Sequence, residues 1–357
     1  MIGGATRRII LCLAAIVGAV AVCSLTSCGE RPADVVLYSS VDDYLLREVV
    51  DAFEAKTGLK VDVLGDTELT KTTGLMQRLI AEKDAPRADV WWSSEPFASV
   101  RLAREGVLAP YTSASAEAGF EGGWPEEFRA SDKTWYGFAL RARVIAYNPD
   151  ELDITRVPDN IADLTRHEWQ ERVGIARPRF GTTRGHLASI AATDGADALN
   201  AWLVGMRANT TLVYRSNSAV ALAVANQIIP VGLCDTDDVW MMKRDGFPVE
   251  FIYERRSTDA PHFGPGMHGP LVIPNTISLV KGAQNTEAAE RFIDFVLSPE
   301  VERMMAESDS HNVPVHPEVA AEFPEYAIPD PWVPDYEAAD DSMHEAMELC
   351  EKIFVGW

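Results

Sequence analysis

The segment Cys234-Asp235-Thr236-Asp237-Asp238-Val239-Trp240 places three carboxylates within four residues. Carboxylates this close repel one another unless something positive sits among them. As hard oxygen donors they suit a hard metal ion, and their charge equally suits an ammonium group. The same acids also suit a helix start, where unpaired N–H groups attract negative charge. Ser39, Ser40, Asp42 and Asp43 follow the short apolar run Val35-Val36-Leu37-Tyr38, and Glu95 follows Trp91-Trp92-Ser93-Ser94. Each lies just past the end of an expected strand, where open α/β sheets bind ligands. Asp42 or Asp43 serves equally well as a helix cap. Thr182, Thr183 and Arg184 in Phe180–His186, and Asn217 with Ser218, precede or open expected helices. Helix N-termini hold anions, although capping is the commoner task of such residues. The seven His show no HExxH spacing; His262 and His268, in a Gly/Pro-rich loop, could serve as ligands but read first as solvated imidazoles. GxSxG, P-loop and dinucleotide fingerprints are absent, so binding is expected here rather than catalysis.

These groups need a scaffold, and the apolar pattern supplies one. Leu45, Leu46, Val49, Val50 and Phe53 form one helical stripe, ended by Gly58. Leu59–Val63 alternates as a strand, Leu75, Met76, Leu79 and Ile80 mark a second helix, and Ala88–Trp92 reads as a third strand. Strand and helix alternating at such short intervals imply βαβ units and a mostly parallel sheet. Further strands are expected at Val144–Tyr147, Val173–Ala176, Ile228–Leu233 and Leu271–Ile273. Helices are expected at Ala196–Met206, Asn217–Asn226, Glu287–Leu297, after the capping Ser298-Pro299 pair, and at Ser342–Ile353. Phe323–Pro334, rich in Pro and acid, reads as an irregular surface segment. In the Trp91-Trp92 pair, alternation along a strand sends one ring to the core and the other to the cleft.

The chain has 357 residues, with 32 basic against 54 acidic side chains. Such acidity disfavours phosphate backbones, so no nucleic-acid partner is expected. Apolar residues make up 47%, which marks a globular chain of about two domains. At the start, Arg7-Arg8, an apolar run over Ile9–Val22 and Leu25-Thr26-Ser27-Cys28 have the order of a secretory signal, residues 1–27. The last four resemble the bacterial lipobox, in which Cys28 carries the lipid and becomes the mature N-terminus. The expected location is the cell envelope or periplasm, with membrane attachment only through that anchor. Of five cysteines, Cys234 and Cys350 lie beyond this leader, as one disulfide or two buried thiols.

Several motifs in order resemble the family 1 extracellular solute-binding proteins of ABC transporters, and nearest them the periplasmic ferric-iron-binding branch. They are Val36–Asp42 with the helix ending Phe53–Gly58, Ala88-Asp89-Val90-Trp91-Trp92, Gly106–Tyr111, Arg141–Asn148, Asn217-Ser218, and Ala289–Phe295 before Ser298-Pro299-Glu300. The resemblance implies an α/β, two-lobed periplasmic-binding-protein fold of type II. One lobe would hold residues 34–138 and 257–308, the other 139–256 and 309–357, with a ligand cleft between them that closes by hinge motion. It also implies an ABC permease with its ATPase as membrane partners.

In the ferric-iron branch two adjacent Tyr hold the metal; here Asp237 and Asp238 stand in their place. The candidate ligand set is Ser39, Ser40, Asp42 and Glu95, from their places past strand ends, with Arg141, Thr182, Thr183, Asn217, Ser218, Asp237 and Asp238, which the resemblance implies. Asp237, Asp238 and Glu95 are the candidates for a metal such as Fe³⁺ or another hard cation. Arg141 resembles an arginine beside the family's anion, and forms an ion pair between the lobes on the plainer reading. Thr182, Thr183, Asn217 and Ser218 match turns that hold a synergistic phosphate or carbonate in the family. A small organic anion or zwitterion, such as a phosphonate, is the alternative solute, and a sensory module without a permease the alternative role.

Overall fold

The computed structural model describes residues 33–66, 72–256 and 268–354. The signal segment, Cys28 and His262 lie outside these residues. In chain order the first elements are β1 (Val35–Ser39), α1 (Asp43–Thr57), β2 (Val61–Gly65), α2 (Thr73–Ala81), β3 (Val90–Ser93), α3 (Pro96–Arg104), β4 (Leu108–Ala109), α4 (Ala114–Ala118) and β5 (Tyr136–Tyr147). Next come β6 (Val173–Ala176), α5 (Gly181–Asp194), α6 (Ala196–Ala208), β7 (Leu212–Tyr214), α7 (Asn217–Ala225), β8 (Val231–Asp235), α8 (Thr236–Arg244) and β9 (Glu250–Tyr253). The chain then returns through β10 (Val272–Val280), α9 (Thr286–Val296), α10 (Pro299–Glu307), α11 (Pro317–Ala320) and α12 (Tyr336–Ile353).

Two lobes share one long strand. In the first lobe β1 pairs in parallel with β2 and β3, and β10 runs antiparallel to β3, β4 and the first half of β5. From Arg143 onward β5 leaves that sheet and pairs with β8 and β9, while β6 runs parallel to β7 and β8. β5 is buried along its whole length because helices or the other lobe cover both its faces, so its residues do not alternate. For this reason the apolar pattern exposes only the second half of β5, and only the first residues of β10.

Each sheet is packed on both sides. In the first lobe Phe53 of α1 meets Phe292 of α9 edge to face at 5.0 Å over one face of the sheet. α2 and α3 cover the other, with Leu75, Leu79, Ala98 and Leu102. Trp91 and Trp92 are both fully buried, one in each of these layers. The expectation that one ring faces the cleft is therefore corrected: two covered faces leave no open side. In the second lobe α5, α6 and α12 bury Leu187, Trp202 and Met343 on one face, and α7 and α8 bury Val220, Val224 and Val239 on the other. Cys350 and Cys234 lie in these two separate layers as free, buried thiols.

The crossing at β5 is tightly held. Ala139 has φ +45°, costly for any residue with a Cβ, and the β5–β10 register slips beside it at Pro274/Asn275. Glu302, fully buried on α10, accepts the Ala139 N–H at 3.0 Å, and Asn275 and Asn312 donate to the Ala139 carbonyl at 2.8 and 3.2 Å. The strained residue is thus pinned at both backbone polar groups, two positions before Arg141.

Candidate functional site between the lobes

Parallel strands point their C-terminal ends at the cleft, and the helices that follow them begin there. Ser39 and Ser40 leave β1, Ser94 and Glu95 leave β3, and Asp235 ends β8. Ser39 Oγ accepts the Val41 N–H at 3.1 Å and so braces its own loop, while Ser40 Oγ accepts the Ser94 N–H at 3.0 Å and ties the β1 and β3 loops together. Glu95 caps α3, its carboxylate accepting the Phe97 and Ala98 N–H groups at 2.7 and 3.2 Å. Burial pushes this carboxyl up to about 7 against the pull of those N–H groups and of Arg184. Asp42 stands at the N-cap of α1 without a side-chain cap bond, exposed, and its charge acts on Asp237. Asp43 pairs with Arg47 on the surface.

The acidic triplet converges. Among the described residues, Asp235, Asp237 and Asp238 each bring a carboxylate oxygen within 4.8 Å of the others. Asp238 forms a capping box with Asp235, accepting the Asp235 N–H at 3.2 Å, so the helix-start reading also holds, for α8 from Thr236. Asp237 Oδ2 accepts from Arg141 Nη1 at 2.7 Å, while its Oδ1 is shielded from solvent and has no hydrogen-bond partner. Burial raises the Asp237 carboxyl, opposed by Arg141 and aided by Asp235. Burial lowers Arg141, but Asp237 and Asp235 beside it overcome this and hold it above its ordinary value. The second nitrogen of Arg141 donates to the Ser94 carbonyl of the first lobe. Glu95 stands outside the carboxylate triplet; Arg141 is the charge it shares with Asp237.

Asp235 behaves differently from its neighbours. It lies directly opposite Arg143 in the β5–β8 register and accepts from Arg143 Nη1 at 2.7 Å, from Thr182 Oγ1 at 2.6 Å and from Asn217 Nδ2 at 3.1 Å. Thr182 and Asn217 are thus engaged with a carboxylate of the chain itself, and Thr183 donates to Asn217 at 3.2 Å. Ser218 sits apart from this set, its hydroxyl 3.0 Å from that of Ser216, which caps α7. His268 is not a solvated imidazole, contrary to expectation. It stacks on Trp332 with ring centres 4.0 Å apart and meets Asp194 at 3.2 Å.

Sequence reasoning missed Arg143 and Tyr44. Arg143 had a signal, because residues two apart on a strand share a face and Arg141 was already a candidate. Tyr44 had only its place beside Asp42 and Asp43. Burial raises its phenol to about 12, with Asp237, Asp42 and Asp309 adding to the rise, and it hydrogen-bonds Ser310. Gly185 of α5, in the second lobe, lies against the ring of Phe97 of α3, in the first, where any Cβ would collide. The pocket beside them, lined by Glu95, Arg101, Arg184 and Asp340, encloses about 20 Å³, room for a single water.

Two lobes of this topology, with strand ends, helix starts and a buried unpaired carboxylate oxygen gathered at their junction, define a solute-binding fold. The model of the bacterial extracellular solute-binding protein family matches residues 86–336, and the chain belongs to that family. The chain is 27% identical over 304 residues to Iron uptake protein A1 of a Synechocystis species, covering 80% of each. It is 25% identical over 300 residues to the Major ferric iron-binding protein of Neisseria meningitidis, covering 84% of this chain and 86% of that one. The structure of a Trichodesmium protein in complex with iron and citrate superposes with a TM-score of 0.74 at 23% identity, over 90% of this chain and 99% of that one. At that identity the superposition speaks for the fold alone.

Proposed function

We propose that this protein is the solute-receiving subunit of an ABC importer and that its solute is a hard metal cation, with ferric iron foremost. The observation that carries the proposal is Asp237 Oδ1: a carboxylate oxygen cut off from water, with no donor, beside two further acids where the lobes meet. An unpartnered buried acceptor of this kind is costly alone and becomes favourable once a cation sits on it. Asp237 and Asp238 are the proposed ligands from the second lobe. Ser39, Ser40, Asp42 and Glu95, on the loops after β1 and β3, are the proposed first-lobe contributors, and Tyr44, near enough to Asp237 for the two groups to interact, adds another hard oxygen. Relatives named for ferric iron support the choice of ion.

Arg141 has the role of a placeholder in this reading. Its positive charge balances Asp237 until a cation takes over, and its link to Ser94 couples that exchange to the first lobe. The moving bodies are the first-lobe sheet, with β5 up to Ala142, and the second-lobe sheet, with β5 from Arg143, turning about the crossing within β5. The protein performs no chemistry on its solute. It is exported and held by lipid at Cys28, and the membrane permease with its ATPase receives the loaded form. Among the described residues no helix is long and apolar enough to cross a membrane.

Equilibrium competition with ferric citrate tests the reading. The full-length protein is expected to hold one Fe³⁺ per chain. Uptake of no iron, together with saturable binding of a phosphonate or another organic solute, would replace it.

A further inference from the structure

Asp235 is held by side-chain donors from three separate elements, β5, α5 and α7. Its Oδ2 accepts from the hydroxyl of Thr182, the second residue of α5, at 2.6 Å, and from the amide of Asn217, the first residue of α7, at 3.1 Å. Its Oδ1 accepts from Arg143 Nη1 at 2.7 Å, and Arg141 Nη1 stands 3.8 Å from Oδ2. The donors also hold one another: Asn217 donates to Thr182 at 2.8 Å and accepts from Arg143 at 3.1 Å. Two helix starts and two guanidinium groups therefore converge on one carboxylate, an arrangement that attracts negative charge through N–H dipoles and full cations together.

Two further observations separate this pocket from an ordinary capped helix. Arg143 is 1% exposed and its Nε has no partner, so a whole cation lies inside the lobe with Asp235 as its ion-pair partner. Asp235 is 2% exposed and is fixed by the backbone, because it ends β8 directly opposite Arg143 on β5. A carboxylate on one methylene from that position reaches every donor without a change in the main chain.

We infer that Asp235 is a resident counter-anion: it fills, from within the chain, an oxyanion pocket made by Arg143, Thr182 and Asn217. The solute site then receives its cation with no small anion from solution beside it. Asp235 is consequently a positioning residue and not a metal ligand, since donors of the protein engage both its oxygens. It aligns Arg143, Thr182 and the start of α8, which carries Asp237 and Asp238. The absence of a small anion beside the solute rests on the proposed function; the pocket itself does not.

The pocket can be tested with no metal present. Asp235→Ala and Asp235→Ser remove the carboxylate and leave a space the size of formate, ringed by the same donors. Thermal unfolding of the full-length proteins is followed in sodium formate, acetate and phosphate against chloride at matched ionic strength. Formate is expected to raise the melting temperature of both variants saturably, by roughly 5 °C, because it binds the folded form alone. The parent protein is expected to move by less than about 1 °C under the same linkage. Asp235→Asn, whose amide fills the space, is expected to stay as insensitive as the parent. If Asp235→Ala folds only in formate, the inference is upheld. Variants that respond no more than the parent, or that stay unfolded with and without formate, would overturn it. Ferric loading of the parent with and without added phosphate or bicarbonate separates the two readings. A requirement for the added anion sinks this inference and leaves iron standing. Loading of no iron at all sinks the iron reading, while the formate response still decides the pocket.

Discussion

Arg141 donates to Asp237 at 2.7 Å from one end of its guanidinium and to the Ser94 carbonyl from the other. One side chain on the crossing strand therefore joins an acid of the second lobe to a loop of the first. Arg141→Met breaks both links and leaves Asp237 buried without its counter-charge. Removing one partner of a buried pair costs about 3 kcal/mol, because the other partner stays desolvated. Urea denaturation of the metal-free protein should register that loss. Adding Asp237→Asn in the same chain should recover much of it, and simple addition of the two single effects would show that the pair is not coupled.

Gly185 lets α5 lie against the Phe97 ring. Gly185→Val places a branched side chain in that contact, so the lobes meet less closely and solute binding should weaken about 10-fold, the scale of an overpacked interface. Phe97→Ala in the same chain should restore most of the affinity. Isothermal titration with ferric citrate reads both values, and unchanged affinity in Gly185→Val would mean that this contact plays no part in closure.

Glu254 is buried in the second lobe, accepting the Ile161 N–H at 3.3 Å, and burial raises its carboxyl from an ordinary 4.5 to about 8. The folded state thus favours the neutral acid. Its contribution to stability is complete below about pH 4.5 and is lost as pH rises through about 8. Glu254→Gln should match the parent near pH 5 and exceed it at pH 9 by at most about 4 kcal/mol, the upper figure set by the size of the shift. Denaturant melts at both pH values test this; a constant difference would show that the group does not titrate as its burial requires.

Ala139 keeps φ +45° only because Glu302, Asn275 and Asn312 hold its backbone. Ala139→Gly removes the Cβ conflict and should stabilise the protein by about 1 kcal/mol, since glycine adopts that region freely. A destabilised Ala139→Gly protein would place the true backbone conformation elsewhere.

Much of the scaffold is readable in the residues, and the reasons for the remainder are physical. The stripe from Leu45 to Phe53 covers one face of an otherwise polar helix, so its period is visible, and it forms α1. β5 and β10 are buried on both faces, which erases the two-residue alternation that would have shown their full lengths. Asp237 was marked in the sequence by its place after β8, where the ferric-iron branch carries a Tyr pair that this chain lacks. The embrace of Asp235 by Arg143, Thr182 and Asn217 was not, because those residues come from β5, α5 and α7 and meet only when the strand register is set. Local pattern carries periodicity well and carries partners across a sheet poorly.

The site is expected to hold a hard cation at Asp237 Oδ1 between the lobes. The most direct measurement is anomalous diffraction at the iron edge on crystals of the full-length protein loaded from ferric citrate. A single strong peak is expected in contact with Asp237, beside Asp238 and facing Tyr44, and no peak in Asp237→Asn crystals treated alike. Iron bound elsewhere with Asp237 still paired to Arg141, or no iron bound at all, would contradict it.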